Sequence, residues 1–116
     1  MGNSEKESLE NRIDHEIIVR REAQLEVQEA FHYYQEISEG LGFEFMRSLD
    51  AALQSIKRNP SAYQKIYKET RRVLLRKFPY AVFYITEESR IVIIACFHQK
   101  RSEIDWLRRS CWRRLD

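Results

Sequence analysis

The fold is decided by the stretch Thr70–Trp106, which reads TRRVLLRKFPYAVFYITEESRIVIIACFHQKRSEIDW. Three runs in it have the composition of β-strands, and we predict these strands at Arg71–Phe78, Ala81–Thr86 and Arg90–His98. The last run is apolar on both faces, which is typical of a strand in the middle of a sheet. Because Pro79 and residues 87–89 supply turns between the runs, the stretch predicts a three-stranded meander.

Two helices are predicted upstream of this meander. Between Glu22 and Glu39, apolar residues recur at steps of four and three, and this spacing forms one stripe on a helix. A second helix is predicted from Phe43 to Arg58 and ends there, because the residue before Pro60 disfavours helical geometry. Only a short turn at residues 40–42 joins the two, so we expect an antiparallel helical hairpin.

The complete order predicts an α+β domain. A first strand is predicted at His15–Arg20, and a short C-terminal helix starts near Ser102. The order β-α-α-β-β-β then favours a helical hairpin packed on one face of a small, largely antiparallel four-stranded sheet. We expect one domain over residues 15–109, with a flexible polar tail at 1–14 and a basic tail at 110–116. The second face of the sheet should be only partly covered.

Composition narrows the class of protein. The chain has 116 residues, 43% hydrophobic and 33% charged, as in a single soluble globular domain. No apolar run reaches the roughly 18 residues of a membrane span, and residues 1–14 lack the apolar region of a secretory signal. We therefore expect a cytoplasmic protein without a membrane partner. Cys96 and Cys111 should be reduced thiols, and without a CxxC pair or a ligand cluster no metal site and no cofactor are predicted.

Charge is distributed unevenly along the chain. Residues 1–56 hold 5 Lys/Arg and 12 Asp/Glu, a net charge of −7, whereas residues 57–116 hold 15 Lys/Arg and 6 Asp/Glu, a net charge of +9. This asymmetry indicates that the second half binds nucleic acid or an acidic protein segment. The alternative is that the two halves neutralise each other within one fold.

Arginines lie on the first strand of the meander. We take the apolar Val73 and Leu75 to point toward the helices. Alternation then turns Arg72 and Arg76 to the open face, and a slip of one residue would turn Arg71 there instead. Guanidinium groups bind phosphate oxygens in pairs, so this face suits a phosphate or an acidic partner. The alternative is that these charges only keep an edge strand soluble.

A histidine ends the third strand of the meander. His98 is followed closely by Lys100 and Arg101. Imidazole transfers protons near neutral pH, and the two cations suit the charge on a phosphate that is being cleaved. The alternative is that His98 only caps the strand end through a backbone hydrogen bond. We expect the imidazole and the guanidinium groups together on the side that the helices leave bare.

An ordered set of residues resembles the RelE/ParE toxin superfamily of bacterial toxin–antitoxin modules. The similarity covers residues 16–109 approximately. The residues that carry it are Arg71-Arg72, Phe78-Pro79-Tyr80, Tyr84, the apolar strand with Phe97-His98, Arg101 and Trp106. The two helices and the Phe-Pro-Tyr turn resemble the ParE side. No tyrosine follows Tyr84, so the C-terminal tyrosine of several RelE-like nucleases is missing.

The resemblance implies a growth-inhibiting toxin of a type II toxin–antitoxin system, of the kind associated with plasmid stabilisation. Its partner would be a cognate antitoxin, bound as a hetero-oligomer. The ParE side implies binding to DNA gyrase without hydrolysis. The RelE side implies metal-independent cleavage of mRNA on the ribosome, with catalytic residues at His98, Arg71, Arg72 and Arg101. The third interpretation is a non-toxic protein-binding module. Target or antitoxin binding is predicted for Arg72, Arg76, Lys77, Lys100, Arg101 and Trp106.

Overall fold

The computed structural model describes residues 16–100, and two long helices form one layer of it. Helix α1 spans Arg21–Ile37 and helix α2 spans Leu41–Arg58. Both lie within two residues of the predicted bounds, because the apolar stripes and the Asn59-Pro60 stop set them. None of the helices in residues 16–100 has the length and apolar character required to cross a bilayer.

The turn between the helices depends on two glycines. Gly40 has a φ of 92°, in the left-handed region that favours glycine. The side-chain oxygen of Gln35 accepts hydrogen bonds from the backbone N–H groups of Gly40 (3.0 Å) and Gly42 (2.8 Å). A Cβ atom at Gly42 would lie 2.7 Å from the backbone oxygen of Phe31. The absent side chain at Gly42 therefore lets α2 begin directly against α1.

The second layer is a five-stranded mixed sheet in the order β1-β5-β4-β3-β2. The strands are β1 Glu16–Val19, β2 Lys65–Tyr67, β3 Thr70–Leu74, β4 Tyr80–Glu87 and β5 Arg90–His98. β1 runs parallel to β5, and the other neighbours are antiparallel. The α+β class and the helical hairpin on a largely antiparallel sheet are confirmed.

Two details of the predicted sheet are wrong. The sheet has five strands and not four, because the polar connector after the 3-10 turn Pro60–Ala62 contains the three-residue β2. The strand predicted to reach Phe78 ends at Leu74, because Lys77 takes a left-handed conformation with a φ of 59° that turns the chain. The predicted C-terminal helix and both tails lie outside the described residues.

Apolar side chains fill both faces of the sheet. On the side of the helices, which we call the helix face, Phe45 and Ile56 pack with β-strand residues such as Tyr84 and Cys96. The opposite side, which we call the second face, carries a separate cluster of residues that are at most 7% exposed: Ala81, Phe83, Ile85, Val92, Ile94, Ala95 and Phe97. Ile66 and Tyr67 pack against this cluster. The second face is therefore a second apolar core. The prediction of a bare surface that carries the cations is wrong.

Candidate functional site

The predicted site residues within residues 16–100 do not share one surface of the domain. Arg71 is on the helix face, where its guanidinium Nη1 donates hydrogen bonds to the backbone oxygens of Tyr63 and Ser61. The neighbouring strand residue Tyr84 donates its phenol hydrogen to the oxygen of Pro60 at 2.6 Å. Arg71 and Tyr84 together fix the connector after α2 to the sheet.

Arg72 is the predicted cation that belongs to the second face. It is exposed and lies opposite Phe83, a member of the second-face cluster. Val73 and Leu75 are buried in the helix-face cluster, as the alternation predicted. Arg72 therefore lies beside the buried apolar cluster of the second face.

Arg76 does not share a surface with Arg72, and that expectation is wrong. Because β3 ends at Leu74, the alternation of a strand no longer applies two residues later. The backbone oxygen of Arg76 instead accepts a hydrogen bond from the Ser48 hydroxyl of α2 at 3.5 Å. Arg76 and Lys77 line a groove between α2 and the end of β3.

This groove, which we call the α2–β3 groove, has a volume of about 590 Å³. Arg47 and Arg58 of α2 join Arg76 and Lys77 in its lining, and the described lining residues include one carboxylate, from Glu44. The lining also includes small or apolar residues, namely Ala51, Ala52, Ser55, Val73 and Leu74. Four cations against one carboxylate favour an acidic ligand.

The sequence reasoning missed Arg47 and Arg58. Residues 47, 51, 55 and 58 follow one another at steps of four, four and three, which places them on one side of a helix. Ala51 and Ser55 lie between the two arginines and are small, so the backbone of α2 is accessible there. Small residues between cations on one helix side were the signal that could have identified the groove.

His98 lies on the helix face, and its predicted exposure on the second face is wrong. The register between β4 and β5 shifts because Phe83 pairs with Ala95 whereas the next residue, Tyr84, pairs with Ile93. Ile94 is therefore an extra residue in β5. Such a β-bulge reverses the alternation that follows it. Ile93 and Cys96 both face the helices, and so does His98 two residues further on.

The surroundings of His98 are acidic and aromatic. Its ring contacts the Tyr80 ring edge-on at a centroid distance of 5.3 Å, and its Nδ1 accepts the backbone N–H of Lys100 at 3.1 Å. A cavity of about 250 Å³ beside it is also lined by Glu26 and Glu29. The capping role considered as the alternative is therefore present in the structure. With Nδ1 as the acceptor, a neutral imidazole carries its proton on Nε2.

Three other polar groups line this cavity: Cys96 and Tyr80 keep their protons at neutral pH, and Glu26 accepts a hydrogen bond. Burial raises the pKa of the Cys96 thiol to about 12, and the nearby Glu26 carboxylate adds to the shift. Burial also raises the pKa of Tyr80. Glu26 Oε1 accepts the backbone N–H of Cys96 at 2.9 Å, beyond the end of the short β1. A thiolate nucleophile is therefore unavailable at neutral pH.

The remaining predicted residues are Lys100, Arg101 and Trp106. Lys100 is exposed at the end of the described chain. Arg101 and Trp106 lie outside the described residues. Within residues 16–100, no group of three or more histidine, cysteine or acidic side chains is placed to hold a metal ion.

Known proteins similar to this chain include bacterial toxins. Residues 17–103 match the profile of a family described as the ParE toxin of the type II toxin–antitoxin system parDE. The fold is similar to a structure of the chromosomal ParDE toxin–antitoxin system from P. aeruginosa, with a TM-score of 0.65 and 10% identity over 72% of this chain and 95% of that chain. The isolated E. coli RelE toxin gives a TM-score of 0.46 and 14% identity over 87% and 98% of the two chains. No curated protein sequence matches the chain.

Proposed function

This chain belongs to the ParE toxin family of type II toxin–antitoxin systems, and from that membership we propose that it inhibits growth by binding an essential target without cleaving it. DNA gyrase is the proposed target, and a cognate antitoxin is proposed to neutralise the toxin in a hetero-oligomer. The membership confirms the resemblance seen in the sequence.

The separation of His98 from Arg71 and Arg72 is the observation that supports binding over RNA cleavage. Metal-independent cleavage needs a proton-transferring group and cations within reach of one phosphate. Arg71 is engaged with connector carbonyls, Arg72 borders the second face, and His98 lies on the helix face. The carboxylates of Glu26 and Glu29 share the cavity of His98 and would repel a phosphate there.

The exposed cations are the proposed contacts with the target. Arg72, at the border of the second face, and Lys100, beyond the end of β5, are exposed and lie outside the α2–β3 groove. Arg101 and Trp106 belong to the same proposal from their place in the sequence, and they lie outside the described residues. An acidic surface of the target suits these cations.

The antitoxin is proposed to bind the α2–β3 groove. An acidic, amphipathic segment is expected from the charge asymmetry of the chain, and the α2–β3 groove and the second face are the two candidate surfaces for it. The second face carries a buried apolar cluster, whereas the groove offers Arg47, Arg58, Arg76 and Lys77. These cations favour the groove.

Growth assays test toxicity and neutralisation. Expression of the chain alone is expected to arrest growth, and co-expression of the product of the neighbouring gene is expected to restore it. The double variant Arg76→Glu/Lys77→Glu should escape this rescue, because it reverses two groove charges. Arg21→Glu is the matched control, since Arg21 is exposed on α1 and outside the groove. Normal growth at high expression would favour the non-toxic binding module.

A second experiment separates gyrase binding from RNA cleavage. His98→Gln keeps a polar side chain and removes the imidazole, so a gyrase inhibitor should remain toxic and a nuclease should lose its toxicity. Purified protein should inhibit DNA supercoiling by gyrase in both the original and the variant form. Toxicity that disappears with His98→Gln, together with full supercoiling activity, would establish the nuclease instead.

A further inference from the structure

The second face is buried more completely than residues 16–100 can explain. The residues of its cluster lie on β4 and β5 and are at most 7% exposed. Within residues 16–100, the partly buried apolar residues that pack against the cluster are Ile66 and Tyr67 of β2. β2 lies two strands from β4 and three strands from β5, which corresponds to roughly 10 Å and 14 Å. These two side chains therefore cannot cover the part of the cluster on β5.

A second layer is required to bury the face of a sheet. Side chains stand roughly perpendicular to a sheet, so the outer ends of Ile94 and Phe97 would be in water without such a layer. α1 and α2 pack on the helix face and cannot supply it. Since the cluster is buried within one chain, the remaining candidates for the cover are residues 1–15 and 101–116.

Composition favours the C-terminal candidate. Residues 1–15 contain Leu9 and Ile13 as their only branched apolar side chains. Residues 101–116 contain four apolar residues at steps of three, four and four, which places them on one side of a helix. These residues, which we call the C-terminal stripe, are Ile104, Leu107, Cys111 and Leu115.

The position and length of the C-terminal segment also suit the cover. The chain leaves β5 at His98, one residue after Phe97 of the cluster, and β5 lies between β1 and β4. Residues 1–15 instead enter the sheet at β1, which is an edge strand. A helix over residues 103–115 would be roughly 20 Å long, and the strands from β1 to β3 span roughly 14 Å. The C-terminal segment therefore starts beside the cluster and is long enough to cross it.

We propose that residues 102–115, which lie outside the described residues, form an amphipathic helix that covers the second face with the C-terminal stripe and presents Trp106, Arg109 and Arg113 as a contact surface for an acidic target. These three residues follow one another at steps of three and four, on the side of the helix opposite the C-terminal stripe. Aromatic and arginine side chains together are typical of strong protein contacts. The contact surface rests on the proposed function, whereas the cover does not.

The reactivity of Cys111 tests the cover in the full chain. With Cys96→Ser, Cys111 is the remaining thiol of the protein. Ellman's reagent at pH 8 is expected to label it at least ~10-fold more slowly in folded than in urea-unfolded protein, because the thiol faces the sheet. The matched control is the triple variant Cys96→Ser/Cys111→Ser/Arg109→Cys, whose thiol lies on the outer side and should react at least ~10-fold faster than Cys111. Equal rates for the two thiols would overturn the cover.

Two isoleucine substitutions test whether the second face holds the helix. Ile94 belongs to the second-face cluster and Ile56 to the helix face, and both side chains are fully buried. Ile94→Ala is expected to speed the labelling of Cys111 at least ~5-fold through the lost contact, and Ile56→Ala should leave it unchanged. The same change in both variants would contradict docking on the second face. If Ile94→Ala does not fold, the comparison of the two thiols decides.

Inhibition of DNA supercoiling by gyrase tests the contact surface. Arg109→Glu/Arg113→Glu is expected to inhibit about 10-fold more weakly than the original protein, because it reverses two charges that face the target. Arg21→Glu, on the exposed side of α1, is the control and should inhibit as before. Full inhibition by the double variant would overturn the contact surface. Absence of inhibition by the original protein would overturn the proposed function and the contact surface together, whereas slow labelling of Cys111 would still establish the cover.

Discussion

Replacement of Tyr84 by phenylalanine removes one hydroxyl from the connection between helix and sheet. The Tyr84 side chain is fully buried and donates to the Pro60 oxygen at 2.6 Å. The ring of phenylalanine fills the same space, so the loss is confined to the hydrogen bond. We expect Tyr84→Phe to lower the free energy of unfolding by about 1–3 kcal/mol at pH 7, because the partly buried Pro60 carbonyl loses its donor.

The phenol of Tyr84 also makes the stability difference between the original protein and Tyr84→Phe depend on pH. Burial raises the pKa of Tyr84 from 10.0 to about 12, although the Arg71 guanidinium lowers it. Between these two values the unfolded chain releases the proton and the folded chain keeps it. The stability contributed by this group is therefore complete below pH 10 and decreases as pH rises toward 12. Tyr84→Phe lacks the phenol. The difference in free energy of unfolding between the original protein and Tyr84→Phe should therefore narrow by about 1.4 kcal/mol at pH 11.

Urea unfolding at pH 7 and pH 11 measures both effects. Burial also raises the pKa of Tyr34, Tyr80 and Cys96, but these groups are common to both proteins and cancel in the difference. Tyr33→Phe is the control, because Tyr33 is exposed, and it should stay within ~0.5 kcal/mol of the original protein. A stability difference that is equal or larger at pH 11 would refute the assignment of the buried phenol.

Four further predictions concern the core and the hairpin. Gly40→Ala should lower the free energy of unfolding by about 1–2 kcal/mol, because residue 40 has a left-handed φ. Gly42→Ala should lower it by about 1–3 kcal/mol, because the added Cβ would overlap α1. Urea unfolding measures both changes, and an unchanged unfolding midpoint would contradict either prediction. Phe45→Ala should cost about 3–5 kcal/mol in the same assay, since the ring is fully buried among three aromatic rings. In a Cys111→Ser background, Cys96 should resist Ellman's reagent at pH 8 until the protein unfolds, since burial raises its pKa; rapid labelling of folded protein would be the contrary result.

The helices and most strands could be predicted because their signals are local. The stripes of α1 and α2 repeat over five turns, and Asn59-Pro60 stops α2 through the geometry of the chain itself. β2 could not be predicted, since its three residues Lys65–Tyr67 lie in a polar connector and pair with a strand that begins only three residues later. The end of β3 at Leu74 depends on where Phe78 packs, against the rings of the hairpin.

The candidate site could be predicted in composition but not in arrangement. Lys77 and Arg76 were identified as binding residues, and the structure places them in the α2–β3 groove with Arg47 and Arg58. The position of Arg71 depends on the path of the connector, whose carbonyl groups it binds. Contacts between residues distant in sequence set these positions, and one sequence contains no periodic signal for them.

The sequence by itself determined that a helical hairpin covers a central apolar strand, because hydrophobic periodicity and proline act over a few neighbouring residues. It also determined which cations are available. Only the tertiary structure decided which face each functional group occupies. β5 is apolar on both faces, so its pattern does not specify its orientation, and the bulge at Ile94 reverses the alternation before His98. That one extra residue places the imidazole beside two glutamates and on the opposite face from Arg72, since the register of a strand depends on its partner as well as on its own residues.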